Sequence, residues 1–261
     1  MKLVSVIHAL GRRKIETVTI AAFAAVSALG IARRDADATP ASVIISEAVG
    51  GSAVEYLAAA VAKSPSVSAK KTLGLANIEH PRVQSWIKRF TTDLRGSFET
   101  YLDRKDKYEP MISTKLARRG MPQGLIYLAI IESGFNPKVK SSAKASGMWQ
   151  FMSPTARRYG LKVNRRVDER NNPSRATDAA LKYLGDLHER FGSWYLAAAA
   201  YNAGEGTVTK ALKRVTGRTR GTDADYYRIS PRLPSETRDY VPKLVAAARI
   251  GSNPTRYGFA D

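Results

Sequence analysis

The chain has 261 residues, 44% of them hydrophobic, enough for one good core and a smaller extension. Its 42 Lys and Arg against 23 Asp and Glu leave a net charge of +19, which points to a polyanionic neighbourhood: nucleic acid, an anionic membrane face or an acidic cell-wall polymer. Cysteine is absent, which excludes a disulfide framework, a thiol nucleophile and a lipid-modified N-terminal cysteine, and His8, His80 and His188 lack metal-ligand spacing, so neither a metal nor another cofactor is expected.

Near the N-terminus, Arg12, Arg13 and Lys14 precede an apolar stretch over residues 18–32, of a length that suits an export signal better than a full membrane span. Ala36-Asp37-Ala38 resembles a cleavage site, whereas Arg33 and Arg34 favour retention as an anchor. Residues 1–38 are therefore read as an export signal or membrane anchor, and the protein is expected in the periplasm or cell envelope. Residues 39–79 are rich in Ala, Ser and Val, with Gly50-Gly51 and Ser64-Pro65-Ser66, and read as a flexible linker with one short helix over 54–63.

From Pro81 the pattern is helical. Val83, Trp86, Ile87, Phe90, Leu94, Phe98, Tyr101 and Leu102 recur at steps of three and four and form an apolar stripe, with the aromatics read as core. A second helix is predicted over 108–119, stopped by Gly120, so residues 80–120 form a helical extension packing on a domain over 121–261. Pro122 then takes the first turn of the next helix. In that helix Leu125, Leu128, Ala129 and Glu132 follow i, i+3, i+4, i+7 spacing, which puts a carboxylate on the buried face. Burial disfavours the charged form, so Glu132 is expected to keep its proton to higher pH, as a general acid requires.

Downstream come a loop of small residues over 138–146, a short helix after Ser153-Pro154, and a longer helix over 174–190 capped by Ser174 and ending before Gly192. Helices over 194–201, 205–215 and 235–250 complete the chain, and no strand-like alternation of useful length occurs. The class is all-α. The basic residues are scattered in short clusters such as Lys210, Lys213, Arg214, Arg218 and Arg220. With no zinc-finger spacing, RNP-like stretch or basic-zipper heptads, a nucleic-acid partner is not expected.

Four blocks carry the chemistry: Glu132-Ser133 with Phe135-Asn136-Pro137; Gly147-Met148-Trp149-Gln150-Phe151-Met152; Ala200-Tyr201-Asn202-Ala203-Gly204-Glu205-Gly206; and Glu236-Thr237-Arg238-Asp239-Tyr240-Val241-Pro242. In this order, over roughly two thirds of the chain, they resemble the catalytic domain of soluble-type lytic transglycosylases, a goose-type-lysozyme-like group, and most nearly the branch of membrane-bound murein transglycosylase D. The resemblance implies a lysozyme-like fold with an N-terminal helical extension. It also implies cleavage of the MurNAc-β-1,4-GlcNAc bond of peptidoglycan strands without water, leaving 1,6-anhydro-MurNAc ends, with Glu132 as acid and then base. No Asp or Glu lies between Lys115 and Asn164 other than Glu132, which fits a mechanism that needs one carboxylate where most glycosidases need two.

By the same resemblance, substrate binding falls to Ser141, Gln150, Met152, Tyr201, Asn202, Glu236 and Tyr240. Ser141 and Gln150 would contact sugar and Met152 would border the cleft. Tyr201 would point its hydroxyl toward the acid, and Asn202 is more a structural hydrogen-bonder. Glu236 and Tyr240 would be support or distal-subsite residues. Ser133 is expected to orient the helix end, and Asp168, Glu169 and Arg170 to form a structural salt bridge. Met148-Trp149 departs slightly from the family's usual Leu-Met or Leu-Trp before the glutamine. The branch often carries carbohydrate-binding repeats after the catalytic domain, and the chain ends at Asp261. The basic surface is therefore expected to hold the enzyme on anionic wall polymer or membrane. The alternatives are a lysozyme-like hydrolase on the same fold, or a non-catalytic wall-binding protein.

Overall fold

The computed structural model describes residues 74–75 and 78–260. The expected export segment, most of the linker and its short helix lie outside them. Among the described residues the secondary structure is helical, joined by 3-10 turns and three isolated β-bridges. None of these helices is long and apolar enough to cross a membrane.

Helix α1, Pro81–Thr91, starts with Pro81 in the first turn and His80 as cap, its Nδ1 accepting from the Arg82 amide at 3.1 Å. The apolar stripe runs on, but the backbone does not. Thr91 and Thr92 turn their hydroxyls back onto the Ile87 and Lys88 carbonyls, and the Leu94 amide reaches Arg89 O at 2.9 Å. Such back-bonding competes with the helical ladder. The chain resumes as α2, Arg95–Arg118, which joins the predicted second helix to the end of the stripe and carries Pro110 inside it. Gly120 ends it as expected, at φ +61°.

Pro122 caps a 3-10 turn, Gln123–Tyr127, rather than opening an α-helix. The α-helix proper, α3, is only Leu128–Ser133. After α4, Ser153–Arg158, comes α5, Pro173–Phe191. Its cap is Asn172, whose side chain accepts from the Arg175 amide at 3.0 Å, not Ser174. Pro173 then takes the first helical position, where its missing N–H costs nothing.

Helix α6, Trp194–Ala203, is the centre of the core, with Tyr195 to Ala200 fully buried. A helix apolar on all sides belongs inside a protein, and its four consecutive alanines leave room for close neighbours. It packs against α5, against α7, Glu205–Thr216, against α8, Asp223–Ile229, and against α9, Ser235–Gly251. Helix α8 carries a capping box between Thr222 and Asp225.

Helix α9 contains Pro242, which frees the carbonyl four residues earlier, that of Arg238. The buried Tyr226 hydroxyl donates to Arg238 O and to Thr237 O, both at 3.0 Å, and so satisfies it. Helix α9 also packs against α1 and α3, and thereby reaches the site.

Candidate active site

Helix α3 delivers Glu132 and stops one residue later. Gly134 takes φ +56°, and a Cβ there would lie 2.3 Å from the Tyr101 ring, so only glycine fits. Phe135 follows at φ +57°, fully buried, its amide bonded to Ala129 O at 3.1 Å. Ser133 donates to Met148 O at 2.7 Å and to Ala129 O at 3.2 Å. The end of α3 is thereby tied to the Gly147–Met152 block.

That block is a tight bend braced from below. Gly147 takes φ +84°, and a Cβ there would meet the Arg170 carbonyl at 1.9 Å. Trp149 is fully buried and donates its indole N–H to Thr177 Oγ1 at 3.0 Å. Arg170, 5% exposed, bonds Lys144 O and Phe151 O at 2.9 Å and pairs with Asp168 at 2.7 Å. Its guanidinium, bonded to the Asp168 carboxylate, holds that carboxyl below its ordinary value. The expected salt bridge at 168–170 is thus the clamp on the loop.

Gln150 sits at φ +46°, a conformation a non-glycine residue holds only when its surroundings enforce it. Its amide donates to Gly147 O at 2.8 Å and Val139 O at 3.2 Å, leaving its carbonyl oxygen toward other partners. Ser141 closes the small loop: its Oγ accepts from the Ala145 amide at 3.0 Å. Met152 is 44% exposed, one of two large apolar side chains so open among the described residues, and so is not part of the core.

The tyrosine on Glu132 is Tyr240, not Tyr201. The Tyr240 hydroxyl donates to Glu132 Oε1 from α9, whereas the Tyr201 hydroxyl donates to Trp149 O at 2.8 Å. Tyr201 sits in an aromatic row, its ring tilted against Tyr183 at 5.2 Å and edge-on to Phe151 at 6.2 Å. Burial holds its hydroxyl above the ordinary value, and the Glu132 charge adds to that rise. Asn202 is a bonding hub: its amide donates to Glu236 Oε1 at 3.0 Å and its carbonyl accepts from Thr237 Oγ1 at 2.7 Å. So α6 fixes the first turn of α9 beside the site.

Glu132 is half-buried, and burial pushes its carboxyl up from 4.5 to about 7. The hydrogen bond from Tyr240 opposes that rise, the charge of Glu236 adds to it, and the cation of Lys243 opposes it. A second carboxylate therefore does act on Glu132. Glu236 is expected from its block as a support or distal-subsite residue; its action on Glu132, from 104 positions away, is what the sequence does not show. Lys243 is a functional candidate the sequence reading missed; its only signal was its place one turn after Tyr240. With Oε1 engaged by Tyr240, Oε2 is the oxygen left to carry a transferable proton. The arrangement suits a single carboxyl that gives and takes a proton near neutral pH.

Residues 109–222 match the model of the transglycosylase SLT domain. Over 156 residues the chain is 42% identical to membrane-bound lytic murein transglycosylase D of Escherichia coli (strain K12), covering 59% of this chain and 34% of that protein. It is 36% identical over 113 residues to a putative tributyltin chloride resistance protein of Alteromonas sp. (strain M-1), covering 43% of this chain and 55% of that one. The chain thus spans from about a third to about half of these curated relatives. The solved structure of the 70 kDa soluble lytic transglycosylase of Escherichia coli aligns over 58% of this chain and 25% of that one, at 30% identity and a TM-score of 0.47.

Proposed function

We propose that this chain, which carries an SLT domain over residues 109–222, is a peptidoglycan lytic transglycosylase acting in the cell envelope. The observation that carries the reading is Glu132: half-buried, held protonated to about 7, and hydrogen-bonded on one oxygen by Tyr240.

Glu132 Oε2 gives its proton to the glycosidic oxygen as the C1–O bond of the muramic sugar breaks. The resulting carboxylate then takes the proton of the C6 hydroxyl as that oxygen closes onto C1. The proton balance of Glu132 is zero over the cycle, and no water is consumed. Gln150 and Ser141 line the sugar side, Met152 borders the cleft, and Asn202 with Glu236 supports the far end. Residues 80–120 act as a helical extension of the catalytic domain over 121–261. The surplus of 42 basic over 23 acidic residues supports retention on anionic wall polymer or membrane, which rising ionic strength would release.

Glu236 favours a second reading, since a carboxylate acting on Glu132 could activate water, as in a muramidase. Mass spectrometry of the muropeptides released from purified walls separates the two. Anhydro-ended products support the transglycosylase, and reducing ends support the hydrolase. Glu132→Gln keeps the shape and cannot transfer the proton, so undiminished wall digestion by that variant would refute both.

A further inference from the structure

Glu236, Tyr240 and Lys243 recur at i, i+4 and i+7 on α9 and share one helical face, which the Tyr240 hydroxyl brings against Glu132. Lys243 is half-buried, yet its ammonium makes no hydrogen bond and no ion pair with the described residues. What holds it is Trp86 of α1. The Lys243 Nζ lies 4.5 Å from the centroid of that buried indole. The Arg89 guanidinium lies 4.3 Å from the same ring. An ammonium seated on an aromatic face keeps its charge without spending its donors.

The groups acting on Glu132 are Tyr240, Glu236 and Lys243, all from α9. Tyr201 of α6 is coupled to it, and Asn202 of α6 fixes Glu236. Burial draws the Lys243 ammonium below its ordinary value; the charges of Glu236, Asp239 and Glu132 oppose that fall and the Arg89 guanidinium adds to it. From the other elements packed against α9, Tyr127 of the 3-10 turn is pushed up by burial and then by the charges of Glu109 and Asp106, and Arg232 lines a basic groove with Lys210 and Arg214. Lys243 is thus the one cation acting on Glu132 among these groups.

We propose that Lys243, seated on Trp86, is a positioning residue for the Glu132 proton cycle. Its ammonium stabilises the Glu132 carboxylate in the interval after the proton has left for the glycosidic oxygen and before one returns from the C6 hydroxyl. Helix α1, which precedes the matched segment 109–222, thereby belongs to the catalytic apparatus. The proton accounting rests on the transglycosylase reading, whereas the coupling between Lys243 and Glu132 does not.

The test follows the ionisation of Glu132 by carboxyl 13C NMR in the full chain, with Glu132→Gln assigning the signal. Lys243→Met keeps the apolar stem on Trp86 and removes the charge. The Glu132 midpoint is expected to rise by about half to one pH unit, with kcat for wall digestion falling on the order of tenfold. Lys243→Arg restores both, and Trp86→Leu moves both in the same direction by less. A Glu132 midpoint unchanged in Lys243→Met, with a wild-type pH profile, would overturn the inference while leaving the transglycosylase reading intact. Should Lys243→Met fold poorly by its melting curve, Lys243→Gln serves with the same criteria. Absence of anhydro products from the wild type would overturn the reading and leave the titration result standing.

Discussion

Replacing Glu132 by Gln should stabilise the protein, and only above acid pH. The native carboxyl ionises near 7 and the unfolded one near 4.5. Between these values the unfolded chain has released its proton while the native state still holds it. The native state therefore binds more protons, and stability falls as pH rises through the window. The two values differ by about 3 kcal/mol in ionisation free energy. Partial exposure of the residue screens it, which brings the expected penalty to about 2 kcal/mol above pH 7. Gln is neutral in both states and escapes that penalty, while its carbonyl still accepts from Tyr240. Urea unfolding of both proteins at pH 4, 5.5, 7 and 8 measures the difference. It should be smallest at pH 4 and grow by about 2 kcal/mol by pH 8, roughly 4–8 °C in Tm for a domain of this size. A difference independent of pH, or one that shrinks as pH rises, would refute the argument that burial holds the Glu132 proton.

Tyr240→Phe removes the hydrogen bond that offsets burial, so the alkaline limb of wall digestion should move to higher pH and kcat should fall about tenfold or more; a pH–rate profile that superimposes on wild type would count against it. Gly147→Ala drives a methyl into the Arg170 carbonyl, 1.9 Å away at a backbone φ of +84°, and should cost on the order of 4 kcal/mol in chemical denaturation. Arg170→Met strands the Asp168 carboxylate and the carbonyls of Lys144 and Phe151, a loss of roughly 2–4 kcal/mol at pH 7. Because Asp168 ionises below its ordinary 3.8 in the native state, its part of that loss is present above 3.8 and should shrink as the pH falls through the native value, as paired thermal melts can check.

What was legible in the sequence was local. The start of α6, the glycine after α5 and the limits of α7 are written in neighbouring residues, because helix starts and left-handed stops act over three or four positions. The Glu132 face was readable for the same reason. Pairings across the fold were not. Tyr201 and Tyr240 each sit in a recognisable block, and spacing alone cannot say which hydroxyl arrives at Oε1. The answer depends on how α9 lies against α3, which Tyr226 and Asn202 fix from other helices. The break at Thr91–Leu94 escaped detection too, since the apolar stripe continues across it and only the threonine back-bonds interrupt the backbone.

A carboxyl that serves first as acid and then as base must be neither too easily ionised nor too hard to ionise, so opposed influences have to meet on it. Burial and Glu236 push Glu132 up; Tyr240 and Lys243 pull it down. Every one of the named side chains stands on a single helix, α9, beyond the segment that matches the SLT domain. That helix is pinned at its first turn by Asn202, in its middle by the Tyr226 hydroxyl on the carbonyl freed by Pro242, and at Lys243 by Trp86. A small rotation of α9 would move donor, carboxylate and cation together, changing the acidity of Glu132 without touching it. The packing of α1, α6 and α8 on α9 therefore governs the chemistry at α3 as directly as the residues in contact with Glu132 do.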